Sequence, residues 1–325
     1  MIVSLEGGEV LQCQVISLIN WKGGVGKTTL THHLGTGLQR LTKAERKKYL
    51  GEERFPRVLL IDSDAQCNLS IACLTADHYE DVIYKEGMGS IRQLYKEFLE
   101  REDTKMNVNT IILKNAVQAE TGRLYENIDL ILSHMDMNSM DMNIAIYKKA
   151  SWETSLVGSA EIYKFQVMHN NLERVKEHYD FIFIDCPPSL NYVSLNAIYA
   201  SQYYIVPTLL DRLSTYGIQS ITNKISEMNH LFFNSADDYE ETELLGIVAN
   251  GVVERNGVPK RGQQRILNGL KELYGETVLV SYMTYGGGIT EASELGLPVY
   301  AQGDATAQKQ SELMMNIVRE MLDRV

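Results

Sequence analysis

The 325-residue sequence lacks several features that define other classes of protein. It has no apolar run of roughly 18 or more residues, so no transmembrane helix is predicted. Its 4 cysteines form no C-x-x-C pair, which argues against a zinc knuckle and a disulfide framework and favours a reducing, cytoplasmic environment. The first ten residues carry acidic rather than basic side chains, and we do not expect a secretory signal there.

The sequence also lacks an excess of positive charge. Lys and Arg number 31 against 42 Asp and Glu, which gives a net charge of −11. The phosphate backbone of a nucleic acid repels such a chain unless basic residues cluster, so any contact with DNA requires a local basic patch.

Prolines are few, and no low-complexity linker or internal repeat divides the chain. We therefore predict one domain over residues 1–325, with an irregular insertion at its rim around residues 77–127. Short apolar runs suggest strands buried on both faces of a parallel sheet. These runs lie at residues 15–19, 58–61, 128–132, 181–184, 203–206, 244–248 and 278–280. Helical patterns lie between them, at residues 30–41, 172–178, 189–200, 212–233 and 260–274. The alternation predicts an α/β fold with a doubly wound, mostly parallel sheet flanked by helices.

The most specific motif is WKGGVGKTT at residues 21–29, which follows an apolar run and precedes a leucine-striped helix. This is the context of a phosphate-binding loop, whose glycines let successive backbone N–H groups point into one concavity. Lys27 would reach the β- and γ-phosphates of ATP, and the Thr28 hydroxyl would ligate Mg²⁺. The predicted nucleotide contacts are Gly23, Gly24, Val25, Gly26, Lys27, Thr28 and Thr29. The alternative is a glycine-rich turn without a ligand.

The loop departs from the pattern G-x-x-x-x-G-K-[ST], because Trp21 stands at the first glycine position and Lys22 lies just inside the loop. In this it resembles the deviant Walker A motif of the ParA/MinD family of P-loop ATPases, and the ParA-like chromosome and plasmid partition ATPases in particular. The resemblance implies a homodimer around ATP, in which Lys22 reaches the partner's nucleotide and stabilises charge as an arginine finger does. Position alone favours a solvated surface lysine at Lys22, whereas the whole motif favours the role across the dimer.

Two of the apolar runs end in carboxylates: Asp62 and Asp64 follow one, and Asp185 follows another. Parallel strands that end beside a phosphate loop form the ligand side of an α/β sheet, so Asp185 is predicted to bind Mg²⁺. The resemblance implies that Asp64 orients or activates the attacking water, and that Asp62 holds either the Mg²⁺ shell or the loop. Ala65 replaces the family's usual proline, which bears on the hydrolysis rate. The pair could instead cap the following helix.

Two further positions are implied by the resemblance to contact or cover the adenine. Asn250 follows the run at 244–248, and its amide offers the donor and the acceptor that a purine edge needs. Pro298 lies in the segment TEASELGLPV at residues 290–299, which resembles the family segment that closes over the base.

The resemblance implies a slowly hydrolysing switch whose turnover is triggered by an activator protein, but the surface it acts on stays open. Non-specific DNA binding would depend on Arg255, Lys260, Arg261 and Arg265, which could also be a solvated helix start. Glycines at 286–288, where ParA-like relatives often carry arginines, oppose DNA binding, as does the net charge.

The sequence bears on four other functions. The C-terminal segment 312–325 is amphipathic but balanced in charge, which favours packing on the domain over membrane binding. An iron–sulfur reductase would need bridging cysteines, and a small-molecule kinase would need convergent arginines; the sequence shows neither pattern. A regulatory or defence ATPase that acts on a protein partner is the alternative to DNA partition.

Overall fold

The structure is a computed structural model that describes residues 12–101, 105–148, 161–237 and 239–325. The N-terminal residues on which we based the expectation of no secretory signal lie outside these ranges. Within the described residues, the strands are β1 Gln14–Leu18, β2 Val58–Asp62, β3 Ile112–Leu113, β4 Gln118–Glu120, β5 Arg123–Leu124, β6 Ile128–Ile131, β7 Phe181–Asp185, β8 Tyr203–Leu209, β9 Glu243–Asn250, β10 Glu254–Arg255 and β11 Val258–Pro259.

The α-helices of the described residues lie between and around these strands. They are α1 Lys27–Leu38, α2 Lys43–Leu50, α3 Asn68–Leu74, α4 Ala76–Glu80, α5 Arg92–Arg101, α6 Met137–Ile146, α7 Val167–Leu172, α8 Tyr192–Tyr199, α9 Arg212–Phe233, α10 Arg261–Tyr274, α11 Gly287–Glu294 and α12 Ala305–Leu322. None of these helices is long and apolar enough to cross a membrane.

A central sheet has the strand order β3-β6-β2-β7-β1-β8-β9. The pairs from β6 to β9 are parallel, and only the edge pair β3–β6 is antiparallel. Alternate residues of each strand face opposite helical layers. Val15 and Ile182 join one apolar core, whereas Ile16 and Phe183 join the other. This confirms the predicted mostly parallel sheet with helices on both faces.

The register of the sheet brings the predicted site residues to the same edge. Leu18 pairs with Asp185, and Asp62 pairs with Asp185 from the other side. The carboxyl ends of β1, β2 and β7 are therefore adjacent, and the loops that follow them share one edge of the sheet.

Two sequence predictions about elements need correction. Residues 278–280 form no strand; Val278 makes a single bridge to Ile247. The helix predicted at 172–178 ends at Leu172, and only a 3-10 turn follows at Lys176–His178. A short apolar pattern shows that residues are buried. It does not show whether they form a complete strand or helix or only a single bridge or turn.

The segment around 77–127 is more regular than the sequence predicts. Its strand β3 extends the central sheet, and its helix α5 buries Leu94, Tyr95 and Phe98 almost completely. Charged residues between these positions hide the apolar stripe in the sequence, although the spacing of three and four residues is helical.

Candidate nucleotide-binding site

The loop between β1 and α1 owes its shape to glycines. Gly24 and Gly26 have φ values of 72° and 95°, in the left-handed region that favours glycine. A Cβ atom at Gly26 would lie 2.2 Å from Nδ2 of Asn250. Asn250 in turn donates from Nδ2 to the carbonyl of Val25 at 2.8 Å. The end of β9 therefore packs directly against this loop.

Asn20, which the sequence analysis did not single out, holds the loop in place. Its buried side chain donates from Nδ2 to the carbonyl of Pro207 at 2.8 Å, which ties the loop to β8. Its Oδ1 accepts a hydrogen bond from the Lys22 amide at 2.9 Å. A polar residue immediately after the apolar run was the only signal in the sequence, because its partners are distant in the chain.

Lys27 begins α1 with its ammonium group folded back over the loop. The side chain is 7% exposed, and Nζ donates to the carbonyl of Asn20 at 3.1 Å. Burial lowers the pKa of Lys27, and the neighbouring Asp185 opposes that shift. A buried ammonium with so few acceptors is suited to an anion in the cleft.

Thr28 and Asp185 are in direct contact. The Thr28 hydroxyl donates to Oδ2 of Asp185 at 2.6 Å. The second oxygen of this buried carboxylate, Oδ1, has no hydrogen-bond partner among the described residues. Burial, and then the nearby Asp62, raise the pKa of Asp185 well above its usual value. The unmatched oxygen beside a threonine hydroxyl fits a hard divalent cation.

The described residues contain no cluster of three or more His, Cys, Asp or Glu side chains that could enclose a metal ion. Mg²⁺ does not require one, because it commonly keeps several waters and binds through one or two carboxylates plus substrate phosphates. The donor set of Thr28 and Asp185 therefore fits Mg²⁺ in complex with a nucleotide.

Asp62 organises the loop that follows β2. Its Oδ2 accepts from the amide and the hydroxyl of Ser70 at 2.8 and 2.7 Å, and its Oδ1 accepts from the Asp64 amide at 3.1 Å. Burial raises the pKa of Asp62 to about 7. Of the two roles that the resemblance implies, these bonds favour holding the loop over ligating the metal. Ser70 was missed by the sequence analysis.

Asp64 lies where this loop meets the cleft. Its Oδ1 accepts from the Gln66 amide at 3.0 Å, and the residue is partly exposed. It lines both the phosphate-loop cleft and an adjoining hollow of about 250 Å³ against Pro188. Its carboxylate can therefore contact solvent or a ligand in the cleft.

The cleft itself measures about 410 Å³. It is lined by Gly23, Gly24, Gly26, Lys27, Thr28, Thr29, His32, Asp64, Gln66, Asn68, Ala72, Pro188, Asn250 and Ser293. Most of the predicted nucleotide contacts thus meet in one hollow. Val25 is fully buried and contributes its backbone to the loop.

Pro298 does not line the cleft; Ser293, from α11 of the same segment, does. The neighbouring residues of Pro298 are bound to α1. Val299 donates its amide to Nε2 of His33 at 2.9 Å, and the Tyr300 hydroxyl donates to the His33 carbonyl at 2.9 Å. Residues 299 and 300 therefore pack against the phosphate-loop helix.

Lys22 contacts its own chain. Its Nζ donates to Oδ2 of Asp211 at 2.8 Å and to the Ser214 hydroxyl at 3.2 Å. Both side chains of the ion pair are 42% exposed. Asp211, which the sequence analysis missed, also caps α9 by accepting from the Ser214 amide at 2.8 Å.

The predicted basic patch forms a surface apart from the cleft. Strands β10 and β11 pair as a hairpin around Asn256 and Gly257, and α10 follows. A groove of about 880 Å³ is lined by Arg255, Lys260, Arg261 and Arg265. The ion pairs of the described residues include none of these four cations.

A parallel sheet with a glycine loop at the start of α1 and a carboxylate at the end of β7 defines the class of P-loop nucleoside triphosphatases. The sequence model of the AAA_31 family, described as an AAA domain, matches residues 13–236, and the chain belongs to this family. Within that class the chain is a P-loop ATPase of the ParA/MinD type, which confirms the resemblance.

Its relatives include partition proteins. The chain is 29% identical over 212 residues to the sporulation initiation inhibitor protein Soj of Bacillus subtilis, covering 65% of this chain and 64% of Soj. It is 23% identical over 315 residues to the chromosome partitioning protein ParA of Caulobacter vibrioides, covering 96% and 94%.

Solved structures share the fold. A Cyanothece McdA–ATP complex superposes with a TM-score of 0.69 at 15% identity, covering 97% of each chain. A putative plasmid partition protein of Borrelia burgdorferi bound to AMPPNP gives a TM-score of 0.63 at 18% identity, covering 94% of this chain and 98% of that one.

Proposed function

We propose that this chain binds ATP with Mg²⁺, dimerises around the nucleotide, and hydrolyses it slowly as a molecular switch for DNA partition. The observation that carries the proposal is the buried Lys27 ammonium beside a Thr28–Asp185 pair with an unmatched carboxylate oxygen. A buried cation and a buried anion on one glycine loop are the complements of a triphosphate and of the metal bound to it.

The residues divide the work of phosphoryl transfer. Thr28 and Asp185 would hold Mg²⁺, which when bound neutralises charge on the phosphates. Lys27 binds the β- and γ-phosphates, and the backbone of the loop surrounds them. Asp64 orients the attacking water from the cleft wall. Asp62 keeps Asp64 in place through the bond to its amide.

In the proposed dimer, each nucleotide also meets a cation from the other protomer, the side chain of Lys22. Lys22 lies at the mouth of the loop on a half-exposed ion pair, from which it can be released at small cost. In the dimer it would contact the partner's nucleotide and stabilise charge on the transferred group.

Light scattering with and without Mg-ATP, together with phosphate release, tests the dimer. Lys22→Ala should lose both ATP-dependent dimerisation and most hydrolysis. Lys48→Ala is the matched control, because Lys48 forms a similar exposed ion pair with Asp323 at 2.7 Å, away from the loop. Unchanged dimerisation and hydrolysis in Lys22→Ala would contradict a role across the dimer.

DNA is the proposed surface for the ATP-bound dimer. Support comes from the four cations that line one groove at the hairpin and α10, and from the partition proteins among the relatives. Phosphate contacts of this kind are independent of sequence and weaken steeply with salt.

Retention on non-specific duplex DNA, at low and high salt, tests this surface. Arg261→Ala/Arg265→Ala should lose ATP-dependent retention at low salt. Lys43→Ala/Lys47→Ala removes equal charge from the exposed face of α2 and should retain it. No retention by the unaltered protein at low salt would favour the second candidate, a regulatory or defence ATPase acting on a protein partner. That candidate is favoured by the start of α11, which has Gly287 and Gly288. ParA-like relatives often carry DNA-binding arginines at this position.

We further propose that an activator protein triggers hydrolysis and that the switch operates in the cytoplasm. All four cysteines are unpaired and buried, which suits a reducing compartment.

A further inference from the structure

His32 is a buried polar side chain at the cleft for which neither the fold nor the proposed chemistry accounts. It is 1% exposed, and neither Nδ1 nor Nε2 has a hydrogen-bond partner among the described residues. The residue nonetheless contributes to the wall of the nucleotide cleft, together with Thr29 and Ser293.

The next residue shows how an imidazole is satisfied in this helix. His33 Nδ1 donates to the carbonyl of Thr29 at 2.7 Å, and its Nε2 accepts from the Val299 amide. The two rings lie 5.1 Å apart between centroids. A histidine that served only to fill the core would be expected to have such partners, because a buried donor or acceptor left unmatched costs free energy.

The position of His32 on α1 indicates which part of a nucleotide it would meet. Residues three and four apart share one helix face, so His32 lies one turn beyond Thr28 and Thr29. Thr28 belongs to the phosphate and metal end of the cleft, whereas Ser293 lies on the wall formed by α11. If the phosphates bind at the loop, as proposed, the next group of the nucleotide on this side of the cleft is the sugar.

We propose that His32 hydrogen-bonds a ribose hydroxyl of the bound nucleotide, an inference that rests on the proposed function. Burial lowers the pKa of His32 well below its usual value, so the ring is neutral with one donor and one acceptor. Each can pair with a hydroxyl. Because both ring nitrogens are enclosed, this contact requires the imidazole to rotate toward the cleft when the nucleotide binds. His32 then acts as a specificity residue for ribonucleotides.

Titration with Mg-ATP, Mg-2′-deoxy-ATP and Mg-3′-deoxy-ATP tests this bond. The unaltered protein should bind one deoxy analogue about 5- to 10-fold more weakly than ATP. His32→Leu should bring that ratio to within about twofold. A general defect of the cleft would weaken the binding of all three nucleotides to the same extent. The ratio of the affinities for ATP and the deoxy analogue therefore reports the hydroxyl contact alone. Asn250→Ala is the control, which should weaken all three and keep the ratio.

The same preference in His32→Leu, or no preference in the unaltered protein, would overturn the inference while ATP binding stands. No binding of any of the three would refute the proposed function itself. If His32→Leu does not fold, ring ¹⁵N shifts of the unaltered protein give the answer. The His32 resonances should move with ATP and move less with the analogue that lacks the contacted hydroxyl; equal shifts would contradict the contact.

Discussion

Lys22 and Asp211 form an ion pair within one chain, with Nζ and Oδ2 separated by 2.8 Å. The proposed dimer requires the same lysine at the partner's nucleotide, so it cannot satisfy both contacts. Asp211 therefore competes with the partner's nucleotide for Lys22. Because the ion pair is exposed, it weakens dimerisation by about 1 kcal/mol or less in each protomer.

Asp211→Asn should strengthen ATP-dependent dimerisation up to about 25-fold, because Lys22 is released from its ion pair in both protomers, at about 1 kcal/mol or less each. Asparagine is as good a helix cap as aspartate, so α9 keeps its N-terminal bond to Ser214. Analytical ultracentrifugation with Mg-ATP measures the dimer constant. A weaker dimer in this variant would show that Asp211 assists rather than competes.

Thr28→Ala should reduce ATP affinity in Mg²⁺ by about tenfold or more, because one ligand of the metal is lost. Thr28→Ser keeps the hydroxyl and should bind as the unaltered protein does. Calorimetric titration in Mg²⁺ and in chelator checks the difference. Equal losses in both conditions would show that Thr28 serves the loop rather than the metal.

Asp185→Asn should raise the melting temperature of the nucleotide-free protein by about 2 °C or more, since a buried carboxylate with an unmatched oxygen is replaced by a neutral group. The same change should abolish stabilisation by Mg-ATP. Differential scanning calorimetry with and without ligand measures both effects. A nucleotide-free variant that melts at a lower temperature would contradict the claim that the Asp185 carboxylate destabilises the protein until a cation binds.

His33 should make stability depend on pH. Its Nε2 accepts from the Val299 amide, and burial lowers the pKa of His33 to about 4. The unfolded chain, with a histidine pKa of about 6.5, then binds more protons than the folded one between these values. The His33 contribution is complete above about pH 6.5 and is lost as the pH falls toward 4.

Urea unfolding at pH 7.5 and pH 5 measures this dependence. His33→Asn should reduce, but not remove, the loss of stability on acidification, because His32 shifts in the same direction. His178→Asn, at an exposed position, should behave like the unaltered protein. An identical loss in His33→Asn would exclude His33 as a source of the effect.

Local signals made much of the sheet predictable from the sequence. Asp62 and Asp185 directly follow continuous apolar runs, and the glycine loop begins two residues after another, so spacing placed all three at strand ends. Helix α9 was predicted with its bounds, because its apolar stripe is long and regular.

The partners of these residues could not be predicted in the same way. Asp211 is 189 positions from Lys22, and the carbonyl that Asn20 holds is 187 positions away. Such pairs depend on the order of strands in the sheet, which a single sequence does not state. The packing of the segment around Pro298 could not be predicted for a related reason, because it depends on bonds from Val299 and Tyr300 to His33, which lies 266 and 267 positions from them in the chain.

The proposed function depends most on the loop from Lys22 to Thr29 binding a magnesium-complexed triphosphate. Isothermal titration of the purified protein with Mg-ATP, beside Lys27→Ala, tests this directly. We expect saturable one-to-one binding by the unaltered protein, at least tenfold weaker in Lys27→Ala, because the buried charge that meets the phosphates is gone. An unaltered protein that shows no heat of binding and no competition with a fluorescent ATP analogue would contradict it.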